Sequence, residues 1–546
     1  MTFDEAYALS GILLLDNIRK KRFSPKYWLI QFQPPLMMLI PALTYVAYIT
    51  AKELISSKLR LMKLYHRILE RAVNEARDKN AKLVLRLPTV IMGSLIPVLV
   101  YFIAYFTTNS IYIAVTAGLI SSLYPSFIAA TSIATLDGGM TFWSIASILL
   151  LYLGVSQNLI IFTIIGGFML GMALSSKITG AFSILIGLIW LSLAYNSNRL
   201  ILHFTAWILP AMLVFYISWP ILWSNPIRLL AISRYLAKWH KDLDYGFEMY
   251  RGKVRPGSDY FISHLLTQMP NIMILLLPLG LLYPLLDGLN ELWLLAVCGL
   301  MIPLAILSLP NISKRNARLN LTITYPFMAI IGGLAFPALE TPLSHITVNW
   351  MFMKIAFLAM IVSTLIRDVM SMHPYHLDFF NTLAGGLKKA KDKYIVFGVG
   401  EGLEEATKFV DENASSNSII WAYIPRTTAY FHLKRINLNT NLEIIPLFCY
   451  SPVNPNPLGY EFDGQILEYL RRGDLNIYFP YYFPEKNQFE IFRNSKPDLI
   501  VVYRRFTYPG ILDEHNRQFI DFLFKHKPLI TFVKKGIEVA YVFRLT

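Results

Sequence analysis

The chain has 546 residues, of which 55% are apolar and only 16% charged, with a mean hydropathy of +0.46. A soluble globular chain carries about 25% charged residues, so the composition excludes a string of soluble domains and implies a polytopic membrane protein. Lys and Arg number 50 against 35 Asp and Glu, a surplus of 15. On a membrane chain such a surplus addresses lipid phosphates rather than nucleic acid. Two cysteines, Cys298 and Cys449, exclude a disulfide scaffold and a CxxC metal site, and the start MTFDEAYALS lacks the pattern of a cleavable signal peptide.

Residues 1–87 hold one apolar run, Pro34 to Ala51, followed by ten Lys/Arg and four acids between Lys52 and Arg86. Leu54, Met62, Tyr65, Leu69 and Ala76 recur there at helical spacing between charges, the pattern of an amphipathic helix in the membrane interface. Ten apolar runs then follow, near 88–108, 111–131, 139–155, 159–175, 180–195, 201–219, 269–288, 292–309, 321–340 and 348–366. Each approaches the roughly 20 helical residues that a hydrocarbon core requires. Between the sixth and seventh runs, 220–268 is a polar loop rich in Trp, Tyr, His and Arg.

From 367 to 546 the chain is soluble in character. KYIVFGV and DLIVVY read as strands, GEGLEEATKFVDEN and NRQFIDFLFKHK as helices, and LITFVKKGIEVAYVFRL as a hairpin turning at Lys535-Gly536. The expected fold is a polytopic α-helical membrane protein of ten spans with a C-terminal soluble α/β domain. The expected divisions are a loop region with interfacial helices (1–87), a transmembrane domain (88–366) and the soluble domain (367–546).

Few polar residues stand where they could do chemistry. Asp4 and Glu5 are either a solvated terminus or a carboxylate pair whose partial burial tunes a general base. Asp137, in SIATLDGGMTFW, is either a helix N-cap or a functional carboxylate beside hydrocarbon. Lys177 either snorkels to the interface or binds a phosphate. Arg318, in NISKRNARLNLTITYP, either sets topology or clamps a lipid phosphate bidentately. Gly398-Val-Gly-Glu-Gly402 lacks the third glycine of a dinucleotide fingerprint, and His373 and His376 have no further ligand cluster beside them. Sequons at Asn311, Asn320 and Asn413 fit extracytoplasmic loops, though three in 546 residues is close to chance.

Taken in order, eight segments resemble the membrane-embedded glycosyltransferases of the GT-C class. They are similar above all to the dolichyl-phosphate-mannose protein mannosyltransferases and to the aminoarabinose-transferring enzymes of that superfamily. FDEAYALSG resembles the first-loop Asp-Glu motif, and QPPLMMLIPAL the His-Pro-Pro-Leu stretch, with Gln33 in place of the His. RLPTVIMGSLIPVLVYFIAY, SIATLDGGMTFW and GMALSSKITG resemble the helix start, second-loop and Ser-Lys turn segments that follow. WPILWSNPIRLL, RLNLTITYPFMAIIGG and HPYHLDFFNTLAGG with GEGLEEATKFV resemble the large loop, the Arg-Tyr-x-x-Pro helix and the junction into the soluble domain.

The resemblance implies an inverting transfer of a monosaccharide, mannose or a similar hexose, from a polyprenyl or dolichyl phosphate. The acceptor is a hydroxyl of a protein, lipid or glycan at the outer membrane face, and nucleic acid is not a partner. Asp4 would be the base with Glu5 beside it, Asp137 would orient substrate, and Arg86, Lys177, Arg318 and Tyr325 would face the lipid phosphate. No DxD stands in the first-loop motif, so a divalent metal is left open as a cofactor and is not assigned. The family places a transmembrane helix before its Asp-Glu motif, which raises the expectation of an upstream start and an eleventh span. Ten spans put the first loop and the C-terminal domain on one face, outside in this family, against the positive-inside count. A transporter or flippase of a lipid-linked substrate, or a non-catalytic family member, stays open as an alternative.

Overall fold

The computed structural model describes residues 11, 14–15, 35–55, 79–194, 200–224, 257–288, 290–310, 312, 317–343, 349–398, 400–424, 436–438, 475–478, 487–508 and 511–545. The amphipathic segment expected in 56–78, most of the 220–268 loop, and Asp4 and Glu5 lie outside them.

Every one of the ten apolar runs is helical. The helices, in chain order, are α1 (Leu36–Ile55), α2 (Lys79–Thr108), α3 (Ile111–Ser122), α4 (Pro125–Ser132), α5 (Leu136–Ser156), α6 (Ile160–Ser176), α7 (Phe182–Ala194) and α8 (Leu200–Ser218). There follow α9 (Tyr260–Gln268), α10 (Met273–Leu281), α11 (Glu291–Ser308), the single turn α12 (Ala317–Asn320), α13 (Tyr325–Gly333), α14 (Ala335–Leu343) and α15 (Trp350–Met372). Among the described residues six helices are long and apolar enough to cross a membrane, or eight if each of two bent pairs is one span. Ile160–Ser176 and Ile178–Leu193 are apolar but shorter. The chain is a multi-pass membrane protein.

The order of packing follows from side-chain size. Ala317–Thr341 (α12 to α14) is almost wholly buried and forms the centre of the bundle. A Cβ on Gly280 would stand 1.9 Å from the Ile331 carbonyl, and one on Gly299 would stand 2.1 Å from the Phe327 ring, so glycines admit the central helix. Gly166, Gly167 and Gly171 do the same for α6 against α5 and α8, the small-residue packing usual between membrane helices. Polar bonds tie that group together. Ser147 Oγ donates to the Gly166 carbonyl (2.7 Å), Trp207 Nε1 donates to Ser147 Oγ (2.8 Å), and Thr163 pairs with His203 (2.8 Å). Outer helices keep their apolar faces open, with Ile201 on α8 78% exposed and Met351 on α15 73% exposed, as helices bordering lipid do.

Two spans are broken. α3 and α4 meet at 62°, where Pro125 opens α4, and α9 and α10 meet at 117° across Pro270. The polar-loop expectation for 220–268 therefore fails at its end: Tyr260, Phe261, His264, Leu265 and Gln268 are buried, which makes α9 part of the bundle. Backbone groups freed at such a break need partners inside the protein. Asn381 supplies them, its Nδ2 donating to the carbonyls of Leu266 (2.7 Å) and Met269 (3.1 Å). Asp368 accepts from Asn271 N (2.7 Å) and from Asn271 Nδ2 (2.8 Å).

The C-terminal unit is a mixed sheet of β1 (Ile419–Tyr423), β2 (Ile436–Leu438), β3 (Leu475–Tyr478), β4 (Leu499–Tyr503), β5 (Ile530–Lys534) and β6 (Ile537–Phe543), in the order β2-β3-β1-β4-β6-β5. β2, β3, β1 and β4 run parallel, and β6 runs antiparallel to both β4 and β5. Helices α16 (Leu403–Asn413), α17 (Gln488–Ser495) and α18 (Glu514–Leu523) accompany it. DLIVVY, wholly buried, is β4, as a two-faced strand in a parallel sheet should be. The hairpin turns where expected, with φ of 50° at Lys535 and 75° at Gly536, the positive pair that suits a two-residue turn. Among its described residues KYIVFGV forms no strand of the sheet, Tyr394 making only an isolated bridge. Its backbone is bonded by side chains instead: Ile395 O accepts from Arg318, Val396 N donates to the Tyr508 hydroxyl, and Phe397 N donates to Asp378.

Candidate functional site

Of the polar residues singled out by sequence, Asp137, Lys177, Arg318 and Tyr325 are linked through the turn Ala317–Asn320, while Asp4 and Glu5 lie outside the described residues. Asp137 is not the N-cap of α5. Thr135 holds that position, and Asp137 stands in the first turn, where the helix dipole favours a carboxylate. Lys177 ends α6 and opens the 3₁₀ turn Ile178–Ala181. It does not snorkel outward. Its Nζ donates to Asp137 Oδ1 at 2.6 Å and to Asn320 Oδ1 at 2.9 Å, with side-chain exposures of 14% for Lys177 and 5% for Asp137.

Asn320 belongs to α12, the turn that also carries Arg318. Arg318 Nη1 donates to Asp378 Oδ1 at 2.7 Å, and Nη2 donates to the Ile395 carbonyl at 2.7 Å. Asp378 is fully buried, and its Oδ1 also accepts from Phe397 N at 2.9 Å. Tyr325 donates to the Arg318 carbonyl (3.3 Å) and stacks on Tyr124 with ring centroids 4.6 Å apart. One short turn thus ties the Asp137–Lys177 pair to the junction with the α/β unit. Arg86 is half-buried on α2.

Gly11, the last residue of the segment read as the first-loop motif and the one of it that is described, packs so closely on α1 that a Cβ would stand 1.9 Å from the Met38 carbonyl. Met37, next to it, fills the space at Gly139 of α5, two residues from Asp137; a Cβ there would meet its Sδ at 2.2 Å.

Sequence reasoning read Asn320 only as a sequon and missed Asp378 and Asn381. All three lie inside the quoted motifs, but their partners are far away in sequence, so no spacing marks them. Asn320, the residue of a sequon, is held by Lys177. The GVGEG loop is occupied from within: the Tyr503 hydroxyl accepts from Gly400 N at 2.8 Å and reaches Glu401 Oε2 at 3.0 Å. Among the described residues no group of three His, Cys, Asp or Glu could share a metal ion. At the junction, burial lowers the pKa of His376, with His373 and Lys535 adding to the shift.

Residues 24–236 match the sequence model of the dolichyl-phosphate-mannose-protein mannosyltransferase family, and the resemblance read from the motifs is borne out by that match. Among solved structures, the chain is similar to ArnT from Cupriavidus metallidurans in the apo state, at 11% identity and a TM-score of 0.49 over 99% of this chain and 93% of ArnT. It is also similar to the archaeal oligosaccharyltransferase AglB from Archaeoglobus fulgidus, in complex with an inhibitory peptide and a dolichol-phosphate. There the identity is 13% and the TM-score 0.47, over 97% of this chain and 69% of AglB. No curated protein matches the chain.

Proposed function

We propose that this chain is a membrane glycosyltransferase that moves a monosaccharide, mannose or a similar hexose, from a polyprenyl or dolichyl phosphate to an acceptor hydroxyl. The observation that carries this is the convergence of Asp137, Lys177, Arg318 and Tyr325, drawn from three separate motifs, into one bonded group at one end of the bundle. The family match over 24–236 covers the first two of these residues.

The chemistry follows from the groups present. A sugar leaving a lipid phosphate needs the negative charge of the departing phosphate stabilised and a base for the incoming hydroxyl. An ammonium has three N–H donors. Two of those of Lys177 are engaged by Asp137 and Asn320, and the third is assigned to the phosphate. Asp137 and Asn320 hold that ammonium in place before substrate arrives. Arg318, fixed by Asp378 and the Ile395 carbonyl, adds positive charge from a set position, and Arg86 and Tyr325 complete the phosphate end. Asp4 is the base and Glu5 its neighbour, and displacement is direct, with inversion and no covalent enzyme intermediate. The site end and the α/β unit both face outside the cytoplasm, and the chain divides at 1–87, 88–366 and 367–546.

The two broken helices favour a second reading, a transporter of a lipid-linked substrate, because transporters bind at such breaks. Here the break in the second pair is filled by Asn381 and Asp368 rather than left for an ion. Membranes carrying wild type or Asp4→Ala, given labelled dolichyl-phosphate mannose, separate the two. Transfer that disappears in the variant while the protein keeps its melting profile supports the enzyme, and equal transfer by both removes Asp4 as the base.

A further inference from the structure

Where α15 ends, the chain folds back on the bundle before it enters the α/β unit. Asp368, one turn from the end of α15, accepts from Asn271 N, and Asn271 Oδ1 in turn accepts from Thr382 N at 2.9 Å. Asn381 N donates to the Thr267 carbonyl at 2.9 Å, beside the bonds its side chain makes to Leu266 and Met269. These bonds put Asn381 and Thr382 at the height of the last turn of a 23-residue span, where hydrocarbon gives way to headgroups. Met370, on that turn, is 65% exposed, so the apolar outer face of the span continues to this height. A tight loop follows, closed by Gly385 N donating to the Thr382 carbonyl and Gly386 N to the Asn381 carbonyl, both at 3.0 Å.

Leu383, inside this closed loop, is 62% exposed. The α9 segment bonded to the loop shows the same character, with Ile262 and Leu266, one turn apart, both exposed. A single exposed leucine is ordinary. Apolar side chains presented by two bonded segments at a span end have lipid as their natural cover. Beyond the loop stand Lys388, Lys389 and Lys393, all exposed, with Lys391 half-buried and Asp392 the one acid in 386–393. Among the described residues none of the three exposed lysines forms an ion pair. A run of lysines is ordinarily a solvated face. This one follows directly on an exposed leucine at the membrane boundary, where lysine stems lie along apolar surface and their ammonium groups reach headgroups.

We propose that residues 382–393 form a membrane-interface anchor, in which Leu383 enters the acyl boundary and Lys388, Lys389 and Lys393 hold anionic phospholipid headgroups. Charge complementarity selects the occupant, with four lysines set against Asp392. An acidic protein would satisfy the lysines, but a bilayer satisfies them and covers Leu383 and Leu266 at the same place. Phe380, three residues before Leu383, has its ring centroid 5.7 Å from the Arg318 guanidinium, so the anchor also fixes the height of the junction that holds Arg318. The lipids concerned are those of the bilayer itself, so the anchor stands independently of the sugar-transfer assignment.

The test uses the full chain with the photocrosslinking residue p-benzoylphenylalanine at position 383, in nanodiscs of equal parts phosphatidylglycerol and phosphatidylcholine. Adducts are read by mass spectrometry. Lipid adducts are expected, with the anionic lipid favoured at least about fivefold, the effect of one lysine near a membrane surface. High salt lowers that ratio, as screening requires. Lys388→Gln/Lys389→Gln/Lys393→Gln brings it close to one, and Lys388→Arg/Lys389→Arg/Lys393→Arg keeps it. All three side chains are exposed, so both variants melt as wild type does. No lipid adduct at 383, equal adducts with the two lipids, or a preference that survives loss of the lysines overturns the anchor. In native membranes, an adduct with a protein in place of lipid overturns it as well.

Discussion

Replacing Lys177 by Met leaves Asp137 as a buried carboxylate without its cation, and replacing Asp137 by Asn leaves Lys177 the reverse. The pair stands at 2.6 Å with side chains 14% and 5% exposed. At an effective dielectric of about 20 that separation corresponds to a gross attraction of about 6 kcal/mol, most of it offset by desolvation. Removing one partner of a buried pair costs about 3–5 kcal/mol, because the other charge is stranded; removing both is close to neutral. Each single variant is therefore expected to melt well below wild type, and Asp137→Asn/Lys177→Met to recover most of that loss. Transfer does not recover with it, since the phosphate has lost its ammonium, worth about 1.5–3 kcal/mol or roughly 10- to 150-fold. Thermal melts of the four proteins in one detergent, beside transfer from dolichyl-phosphate mannose, make the comparison. Additive losses in the double variant would refute the buried pair, and full activity in it would refute its part in catalysis.

Asn381→Ala removes two bonds to the carbonyls at the α9–α10 break, with an expected loss of about 2 kcal/mol and faster hydrogen exchange confined to 260–273. Gly280→Ala drives a methyl into the Ile331 carbonyl, and a drop of at least about 1–3 kcal/mol is expected, read as reduced yield and a lower melting temperature. For His376 the folded state lowers the pKa below the unfolded value of 6.5, chiefly through burial. The unfolded chain then binds the extra proton first, so stability is lost as the pH falls through 6.5 toward the folded pKa. His376→Gln should flatten that acid limb in melts between pH 7 and 5, and an unchanged limb would show that the ring is not the source.

How far the sequence carried the structure depended on whether a local rule or a distant partner set each element. The ten apolar runs became helices because length and hydropathy alone decide that. The Lys535-Gly536 turn was legible because two successive positive φ values favour such residues. DLIVVY was readable as a buried strand, whereas KYIVFGV, just as apolar, is held by Arg318, Tyr508 and Asp378 and among its described residues forms no strand of the sheet. The helical stretch Tyr260–Gln268 looked like loop because its polar residues hid an inward face. At the site, Asp137, Lys177 and Arg318 stood out because charge beside hydrocarbon needs a reason, whereas Tyr325 came only from the family resemblance. Asn320 and Asp378 did not stand out, since their meaning comes from Lys177 and Arg318, 143 and 60 residues away.

The central claim is that a sugar leaves its lipid phosphate at this site. The most direct measurement is conversion of dolichyl-phosphate mannose to bare dolichyl phosphate by the purified chain in nanodiscs, with a membrane extract as acceptor and the anomeric configuration of the transferred sugar read by NMR. Release that requires the acceptor, disappears in Asp4→Ala and inverts the anomeric carbon is the expected result. Retention of configuration, or no release by the wild type with any acceptor extract, would contradict it.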